Sequence, residues 1–423
     1  MKTMKTIEIQ PVQSINAVVN VPGSKSLTNR ALPVAALADG ISEIRNPLFS
    51  EDTELMANAL EKIGVQIERR EDVFIVHGRG GSFRPFSKPL FTGNSGTTMR
   101  FLTPLLAMGT GKYILEGTER MHLRPIGDLV KALEDVGGNI CFLQKNGFPP
   151  LLIDAKGIKG GTARLRGSIS SQFLTAVLLS SPYALGDTFI NIQGDLVSRP
   201  YVDLTLKIMS DFGVGTENDN YKRFFVKSGQ VYNSQTYIIE GDASSATYFF
   251  AAAAITGGRV RVRNLLPDSV QGDIKFVDLL KEMGSKVSYG SNWIEVQGAS
   301  LIGIEADLND MPDTAQTLAV VALFAKGKTV IKNVANLRVK ETDRLYALKT
   351  ELRKLGAGVK QVDDGMEITP SALKPARICT YNDHRMAMSF AVAGLVNAGI
   401  VIEDPDCVAK SFPDFWKEFG KMY

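Results

Sequence analysis

The sequence predicts an α/β protein assembled from six similar units, and three recurring features of the chain support this fold class. A helix-ending motif, in which an apolar residue is followed by glycine, occurs six times. A pair of strand-like runs and a second, more apolar helix recur in phase with it. The motif glycines are 73, 76, 71, 72 and 64 residues apart, a spacing too even for chance. They are Gly64, Gly137, Gly213, Gly284, Gly356 and Gly420.

Each unit reads as apolar helix, strand, amphipathic helix and hairpin. In the first copy Leu55, Ala59 and Ile63 form the apolar stripe of a helix that stops at Gly64, because glycine readily adopts the left-handed conformation of a helix C-cap. Short β-like runs at 65–68 and 73–76 then predict a hairpin. The last copy ends at Tyr423 and leaves no room for such a pair.

The second helix of each unit begins at a stretch rich in Gly, Ser, Asn or Asp, at intervals of about 70 to 75 residues. The later copies, over 246–255, 317–325 and 387–396, are apolar on every side and are therefore expected inside the protein. Six units divide naturally into two groups of three. These helix starts lie at 23–26, 93–96, 168–171, 242–245, 311–313 and 382–384.

Composition limits the class of protein. Hydrophobic residues make up 44% of the chain, enough for a sizeable core, yet the longest apolar run, 318–325, is far shorter than the roughly 20 residues that span a bilayer. No secretory signal is visible, and three widely spaced cysteines argue against a disulfide framework. We therefore expect a cytoplasmic protein. The 48 basic and 45 acidic residues nearly balance, and the resulting net charge of +3 does not indicate a nucleic-acid partner.

Three of the helix starts combine glycine with hydroxyl, amide or cationic side chains, at 22–30, 93–100 and 168–173. Helix N-termini attract anions through unpaired N–H groups and the helix dipole, and such side chains suit phosphate or carboxylate oxygens. Ordinary N-capping explains any single start equally well. Three together favour ligand binding.

Arginine and lysine also follow the strands, at Arg124, Arg199, the 338–344 run and Lys410. Lys340, Glu341 and Arg344 have the spacing of a solvated ion-pair ladder on a helix, which remains an alternative. Asp313 and the 383–385 turn are expected in the same half of the chain. Carboxylates among several cations suit acid–base chemistry on an anionic substrate. No nucleotide-binding or metal-binding motif is present, so we expect no cofactor and no metal.

Eight stretches, in order along the whole chain, make the sequence similar to the 5-enolpyruvylshikimate-3-phosphate synthase (3-phosphoshikimate 1-carboxyvinyltransferase) family. Any one of them is weak evidence, but eight in order are highly specific. They are PGSKSLTNR at 22–30, GNSGTTMR at 93–100, RPIGDL at 124–129, SISSQF at 168–173, SRPY at 198–201, DMPDTAQT at 310–317, RVKETDRL at 338–345 and NDHRMAM at 382–388.

This resemblance implies the enolpyruvyl transferase fold, an inside-out α/β barrel of two domains with three βαβαββ units each. Residues 23–240 would form a domain that binds mainly shikimate 3-phosphate. Residues 1–22 with 241–423 would form the second domain and complete an active site between the two. We expect a monomer that uses small-molecule substrates, without nucleic acid or a membrane.

The resemblance also implies the reaction: transfer of the enolpyruvyl group of phosphoenolpyruvate to the 5-hydroxyl of shikimate 3-phosphate, with release of phosphate. The implied catalytic residues are Asp313, as base toward the 5-hydroxyl, Glu341, for the methylene proton, and Lys25. Shikimate 3-phosphate would contact Lys25, Ser26, Arg30, Ser170, Ser171, Gln172, Ser198, Tyr201, Asp313, Asn336 and Lys340. Phosphoenolpyruvate would contact Lys25, Asn94, Gly96, Arg124, Gln172, Arg344, His384, Arg385 and Lys410.

The chain departs from the family pattern at Ser95, Thr98 and Phe101, where many members have Ala, Ala and Pro. These changes leave the reaction class intact and bear on inhibitor sensitivity. Two other functions remain open. UDP-N-acetylglucosamine enolpyruvyl transferase shares the fold, but its family places a reactive cysteine in the first domain, and this chain has none before Cys141. A non-catalytic anion- or RNA-binding protein would not need the pair Asp313 and Glu341.

Overall fold

The computed structural model describes residues 5–423, and it has the α/β fold that the sequence predicts. The strands of this part of the chain are β1 (Thr6–Ile9), β2 (Asn16–Asn20), β3 (Asp39–Arg45), β4 (Gln66–Arg70), β5 (Val73–Arg79), β6 (Leu90–Phe91), β7 (Thr110–Glu116), β8 (Ile140–Phe142), β9 (Leu151–Lys156), β10 (Gly161–Arg166), β11 (Thr188–Gln193), β12 (Glu217–Asp219), β13 (Arg223–Val226), β14 (Thr236–Ile238), β15 (Arg259–Arg263), β16 (Lys286–Tyr289), β17 (Trp293–Gln297), β18 (Glu305–Asp307), β19 (Thr329–Lys332), β20 (Gly358–Val362), β21 (Gly365–Thr369), β22 (Ala376–Ile378) and β23 (Ile400–Glu403).

The α-helices of the same part of the chain are α1 (Lys25–Leu37), α2 (Glu51–Lys62), α3 (Gly96–Ala107), α4 (Gly127–Asp135), α5 (Ser171–Ser180), α6 (Arg199–Asp211), α7 (Ala243–Thr256), α8 (Phe276–Glu282), α9 (Ala315–Val321), α10 (Arg344–Lys354), α11 (His384–Gly394) and α12 (Phe415–Phe419). Short 3₁₀ helices over Gly272–Lys275, Pro312–Thr314, Ala335–Val339 and Pro405–Lys410 lie in the loops that carry site residues.

Residues 5–423 form six small sheets with one shared plan. In each sheet two strands pair in parallel, and one of them pairs antiparallel with a further strand; in four sheets the two parallel strands directly flank an apolar helix. In five sheets that third strand belongs to a hairpin, which gives four strands in the order β6-β7-β9-β8 and its equivalents. The chain order helix, strand, helix, hairpin therefore recurs as the sequence predicts.

Three sheets recruit a strand from a distant part of the sequence. Strand β14 pairs in parallel with β3, and β2 pairs in parallel with β15. In the sixth sheet β1 pairs antiparallel with β23, where the other sheets have a hairpin. In this sheet β1 thus takes the place that a hairpin strand has in the other five.

Apart from the six repeats, the chain divides into two larger compact parts. The first unit consists of Gly23–Ile239, and the second unit consists of Met1–Pro22 with Glu240–Tyr423. Each has its own hydrophobic core. In the first unit α3 packs against α1 and α5, and in the second α7, α9 and α11 all contact one another. Every residue of α9 and α11 is buried, as expected for helices that are apolar on all sides.

Five of the six motif glycines terminate helices in the left-handed conformation, with φ between 87° and 118° at Gly64, Gly137, Gly213, Gly284 and Gly356. The prediction is wrong for Gly420, whose φ is −57°. There the chain passes from α12 into a 3₁₀ turn over Gly420–Met422, so no left-handed residue is needed.

The polar residues before the buried helices act as N-caps. Ser24, Ser95 and Asp242 each accept a hydrogen bond from the backbone N–H three residues on, and Asp383 accepts one from the N–H of Arg385. The ordinary capping explanation therefore holds for these cap side chains. No helix in residues 5–423 is long and apolar enough to cross a membrane.

We predict that Gly241→Ala destabilises the protein. Gly241 donates its N–H to the carbonyl of Asn264 at 2.9 Å, and a Cβ at position 241 would overlap that carbonyl oxygen. Overpacking of this kind costs about 1–3 kcal/mol, which lowers the thermal midpoint by several degrees. The matched control is Gly420→Ala, because open space surrounds Gly420 and its φ suits alanine. Equal midpoints for the two variants in differential scanning calorimetry would refute this packing argument.

Candidate active site

Three helix starts in the second unit bring the predicted acid–base residues together. Asp313 lies in the 3₁₀ turn that leads into α9, Arg344 is the first residue of α10, and Arg385 is the second residue of α11. Since α9 and α11 pack side by side and α10 contacts α9, these starts meet at one end of the core. The positive ends of the helix dipoles add to the field of the cations there.

The guanidinium of Arg344 is the centre of this cluster. It is only 1% exposed, and its Nε and Nη2 bond the Asp383 carboxylate at 2.7 and 3.3 Å. Nη1 donates to Asp313 at 3.0 Å, and Nη2 lies 2.9 Å from Oε2 of Glu341. Burial disfavours a charged guanidinium, but these three carboxylates outweigh it and raise the pKa of Arg344.

Asp313 shares its carboxylate among three cations. Oδ2 accepts a hydrogen bond from Arg385 at 2.8 Å, and Oδ1 lies 3.0 Å from Arg344 and 3.6 Å from the ammonium of Lys340. Burial alone would favour the protonated acid. The cations prevail and hold the pKa of Asp313 well below its usual range.

The solvated ladder considered for Lys340, Glu341 and Arg344 is wrong on two points. Lys340 and Glu341 precede α10 rather than lie on it, because the helix begins only at Arg344. The Glu341 side chain is 10% exposed, so its pair with Arg344 is buried. Of the other predicted residues in this unit, Asn336 and Lys410 are buried in 3₁₀ turns.

His384 is fully buried at the start of α11, with Nδ1 3.7 Å from Asp383. It precedes Arg385, whose Nη1 donates to the hydroxyl of Tyr248 at 3.2 Å. Tyr248 is held in α7, and its burial raises its pKa to about 12 despite the opposing effect of Arg385. The structure thus places His384 within the core beneath the cluster, and its contact with phosphoenolpyruvate stays a prediction.

A further buried carboxylate, Asp273, was not identified from the sequence. It lies in the 3₁₀ turn Gly272–Lys275 and accepts a hydrogen bond from the hydroxyl of Ser244. Burial and the negative charge of Asp313 raise the pKa of Asp273 to about 7, although Arg385 opposes the shift. No sequence motif marks this residue, because the 3₁₀ turn and α7 meet only in the folded unit.

In the first unit Arg124 and Gly96 form a second cationic site. The Arg124 guanidinium is 2% exposed and donates to the backbone oxygen of Asn94 at 2.8 Å and to its side-chain oxygen at 3.3 Å. Nη2 approaches so close to the start of α3 that a Cβ at Gly96 would lie 2.5 Å from it. The hydrogen bonds of Arg124 within residues 5–423 go to the neutral oxygens of Asn94 and not to a carboxylate, so its charge is available for an external anion.

Arg100, in α3, is a second residue that the sequence analysis did not assign to the site. Its Nη1 donates to the side-chain oxygen of Gln172 at 2.6 Å, and its Nη2 donates to the carbonyl of Pro125 at 3.2 Å. Because the amide oxygen of Gln172 is bonded to Arg100, its NH₂ end is directed elsewhere. Arg100 stands in the motif at 93–100, which was the signal available for finding it.

The Arg30 side chain is buried more deeply than expected for a residue that binds phosphate at the protein surface. It is 1% exposed and donates to the carbonyls of Ser26 and Tyr201 at 2.8 and 2.9 Å and to the hydroxyl of Thr205 at 2.9 Å. Its guanidinium also lies 5.5 Å from the ring of Phe101. Burial lowers the pKa of Arg30 to about 10. The residue orders the backbone around Ser26 and Tyr201, and a direct substrate contact stays a prediction.

The remaining predicted residues of this unit lie at three helix starts. Lys25, in the first turn of α1, is 3.3 Å from Asp52. Ser170 caps α5 by accepting the N–H of Gln172, and Ser171 is buried beside it. Ser198 precedes α6 with a φ of 57°, and its hydroxyl makes no cap hydrogen bond. The left-handed backbone of Ser198 is uncommon for a residue with a Cβ, and its contact with shikimate 3-phosphate stays a prediction.

Comparisons with known proteins agree over almost the whole chain. A sequence model of the family described as EPSP synthase (3-phosphoshikimate 1-carboxyvinyltransferase) matches residues 9–419. A 3-phosphoshikimate 1-carboxyvinyltransferase of Sulfurovum sp. (strain NBC37-1) is 50% identical, over 98% of each chain. One from Marinomonas sp. (strain MWYL1) is 49% identical, over 99% of this chain and 100% of its own. The solved EPSP synthase of Acinetobacter baumannii superimposes with a TM-score of 0.82 at 27% identity, over 99% of this chain and 98% of that one.

The fold and these relatives define the protein as a transferase of the α/β class that acts on anionic small molecules. The chain belongs to the EPSP synthase family. It transfers the enolpyruvyl group of phosphoenolpyruvate to the 5-hydroxyl of shikimate 3-phosphate in the shikimate pathway of aromatic amino acid biosynthesis. The two alternatives, a UDP-N-acetylglucosamine enolpyruvyl transferase and a non-catalytic binding protein, are thereby set aside.

We predict a pH-dependent stability effect of Asp273. Because its folded-state pKa of about 7 lies above the value of 3.8 for an ordinary aspartate, the folded protein binds more protons than the unfolded chain between those values. The contribution of Asp273 to stability is therefore full below about pH 4 and is lost as the pH rises through about 7. Relative to wild type, Asp273→Asn should gain stability across this window in urea unfolding.

The matched control is Asp278→Asn, at an exposed position of α8. It makes the same change of aspartate to asparagine at a carboxylate that is not buried. A pH-independent difference between wild type and Asp273→Asn would show that Asp273 is not a buried, late-titrating acid.

Proposed function

We propose that Asp313 and Glu341 perform the two proton transfers of this reaction. The supporting observation is that one buried guanidinium, that of Arg344, pairs with both carboxylates: Nη1 lies 3.0 Å from Asp313 and Nη2 lies 2.9 Å from Glu341. The two carboxylates are thus held beside one cation at different nitrogens. This suits a reaction in which one proton leaves an oxygen and another is added to carbon.

In the proposed sequence, Glu341 first takes up a proton from solvent and delivers it to the methylene carbon of phosphoenolpyruvate, which makes the neighbouring carbon cationic. The 5-hydroxyl oxygen attacks that carbon while Asp313 takes the hydroxyl proton, and a tetrahedral ketal phosphate forms. Removal of a proton from the new methyl group by Glu341 then restores the double bond. The C–O bond to phosphate breaks with its electron pair, and inorganic phosphate leaves.

We assign the anionic groups of phosphoenolpyruvate to buried cations and to the α3 start. Two polyanions repel each other, so their close approach requires positive charge that is fixed before they bind. Arg124, whose hydrogen bonds within residues 5–423 go to the neutral oxygens of Asn94, supplies such charge at low desolvation cost. The assigned residues are Lys25, Asn94, Gly96, Arg124, Gln172, Arg344, His384, Arg385 and Lys410.

Shikimate 3-phosphate is assigned to the hydroxyl-rich helix starts of the first unit and to the polar rim of the acid–base cluster. Serine hydroxyls and backbone N–H groups at the starts of α5 and α6 provide short, neutral donors that suit a phosphate. The assigned residues are Lys25, Ser26, Arg30, Ser170, Ser171, Gln172, Ser198, Tyr201, Asp313, Asn336 and Lys340. In this assignment residues 23–240 hold mainly shikimate 3-phosphate, and 1–22 with 241–423 supply the proton-transfer groups.

The low pKa of Asp313 in the ligand-free protein affects how it can act as a base. Arg344, Arg385 and Lys340 keep it ionised, which makes it a weak base. An incoming anion that binds the same cations adds negative charge beside Asp313 and raises its pKa. Asp313 thus becomes a stronger base only when phosphoenolpyruvate is present.

We also propose that the enzyme works as a monomer in the cytoplasm, without nucleic acid. The even charge balance, with a net charge of +3, gives no basic surface excess for nucleic acid. The three cysteines are free thiols in the structure, as suits a reducing compartment. Sedimentation of the purified chain at micromolar concentration tests the assembly state, with a single 46.0 kDa species expected.

We predict that Asp313→Asn and Glu341→Gln each lower kcat for phosphate release by about 10²- to 10⁴-fold, the usual contribution of a proton-transfer group. In deuterium oxide, Glu341→Gln should also abolish deuterium incorporation into the methylene group of recovered phosphoenolpyruvate. The matched controls are the exposed pair Asp278→Asn and Glu282→Gln. Turnover near that of wild type in both site variants would rule out this assignment.

A second prediction concerns Gly96→Ala. Its methyl group would lie 2.5 Å from Nη2 of Arg124 and 2.9 Å from Nη1 of Arg100, so the arginines must move. We expect KM for phosphoenolpyruvate to rise about 10-fold or more, with KM for shikimate 3-phosphate changed less than about twofold. Gly420→Ala serves as the control. An unchanged KM for phosphoenolpyruvate would contradict the assignment of Arg124 to that substrate.

A further inference from the structure

A buried carboxylate with no assigned role, Glu351, lies on α10 behind the acid–base cluster. It is fully buried, and its two oxygens have different partners. Oε1 accepts the hydroxyl of Tyr381 at 2.7 Å, and Oε2 accepts the backbone N–H of Cys379 at 3.1 Å. Lys354, one turn further along the helix, lies 2.7 Å from Oε2 and balances the charge.

The segment held by Glu351 contains a tight turn with an unusual backbone. The N–H of Asp383 donates to the carbonyl of Thr380 at 2.9 Å, which closes a four-residue turn. Both central residues, Tyr381 and Asn382, have positive φ values of 54° and 52°. This is the type I′ geometry, and a bulky aromatic residue adopts it at a cost in free energy. Some contact must therefore hold Tyr381 in place.

The turn delivers Asp383 to the cluster. Immediately after the strained pair, the Asp383 carboxylate bonds Nε and Nη2 of Arg344 and accepts the backbone N–H of Arg385 at 2.9 Å. It therefore fixes the guanidinium of one arginine and the helix start that carries the other. A small rotation of the turn would move both arginines.

Helix α10 holds this segment at two points. Arg344 and Glu351 are two helical turns apart on the same face of α10, and they bind the two ends of the 379–383 segment. A single rigid helix thus sets the distance between the strained turn and the cluster. Burial and the Glu351 carboxylate also raise the pKa of the Tyr381 hydroxyl, which keeps it a hydrogen-bond donor.

We propose that Glu351 and Tyr381 are positioning residues that fix the Arg344 and Arg385 pair for phosphoenolpyruvate. The carboxylate–hydroxyl bond holds the type I′ turn, the turn places Asp383, and Asp383 orients the arginines. This inference rests on the proposed assignment of Arg344 and Arg385 to phosphoenolpyruvate. It differs from a role in stability alone, because it predicts an effect on one substrate and not on the other.

The test is steady-state phosphate release by Tyr381→Phe, which removes only the hydroxyl, and by Glu351→Gln, which removes the charge and one acceptor. Both variants should raise KM for phosphoenolpyruvate about 10-fold, with KM for shikimate 3-phosphate within about twofold of wild type. In the double variant, the fold increase in KM for phosphoenolpyruvate should be far less than the product of the two single increases, since both substitutions remove the same Tyr381–Glu351 hydrogen bond. The matched controls are Tyr289→Phe and Glu282→Gln, both at exposed positions.

A rescue variant separates positioning from folding. Glycine adopts positive φ without steric cost, so Tyr381→Gly, which removes the strain together with the hydroxyl, should keep KM for phosphoenolpyruvate within about threefold of wild type. A structural role alone would lower the thermal midpoint and leave both KM values unchanged in the folded fraction. That result, or an equal rise in both KM values, would overturn the proposal.

Arg385→Lys separates this inference from the substrate assignment on which it rests. If Arg385→Lys raises KM for phosphoenolpyruvate and Tyr381→Phe does not, positioning by Glu351 is wrong and the assignment stands. If Arg385→Lys leaves that KM unchanged, the assignment itself fails, and the positioning role fails with it.

Discussion

The geometry of the acid–base cluster in the second unit depends on one side chain, the guanidinium of Arg344, which has almost no access to water. Arg344 is 1% exposed, so its charge must be balanced by protein groups, and three carboxylates do so at 2.7 to 3.0 Å. Each of these carboxylates comes from a different loop, and each has a further task. Asp383 caps α11, while Asp313 and Glu341 are the proposed proton-transfer groups. Balancing one buried cation therefore also sets the geometry of the acid–base pair.

The repeated architecture explains why these groups can meet. In every one of the six repeats the apolar helix is buried, so its N-terminus and the loop before it lie at one end of a core. In the second unit, three repeats place the N-termini of their apolar helices together. In the first unit, Lys25, Gly96 and Ser170 lie at the N-termini of the equivalent helices. Positive helix ends and basic side chains thus accumulate without a cofactor-binding motif, as a family that binds two anionic substrates requires.

Periodicity was enough to predict the six units, the interior helices and five of the six glycine caps, because these features depend on local spacing. The motifs gave Asp313, Glu341, Arg344 and Arg385 as candidates. Asp273 and Glu351 could not be found in this way. Their importance comes from burial and from partners more than 25 residues away, such as Ser244 and Tyr381, and no local pattern records such contacts. Gly420 was misassigned because a 3₁₀ turn, not a left-handed cap, follows α12.

In the proposed mechanism, shared cations keep Asp313 ionised until a substrate anion competes for them. Infrared difference spectra of protein labelled with ¹³C-carboxylate aspartate, with Asp313→Asn as the reference, test it directly between pH 7 and pH 4. At about pH 4 an ordinary aspartate is roughly two-fifths protonated. We expect the Asp313 carboxylate band to keep its full intensity down to that pH in the ligand-free protein. Growth of a protonated Asp313 carbonyl band between pH 6 and pH 4 would contradict it.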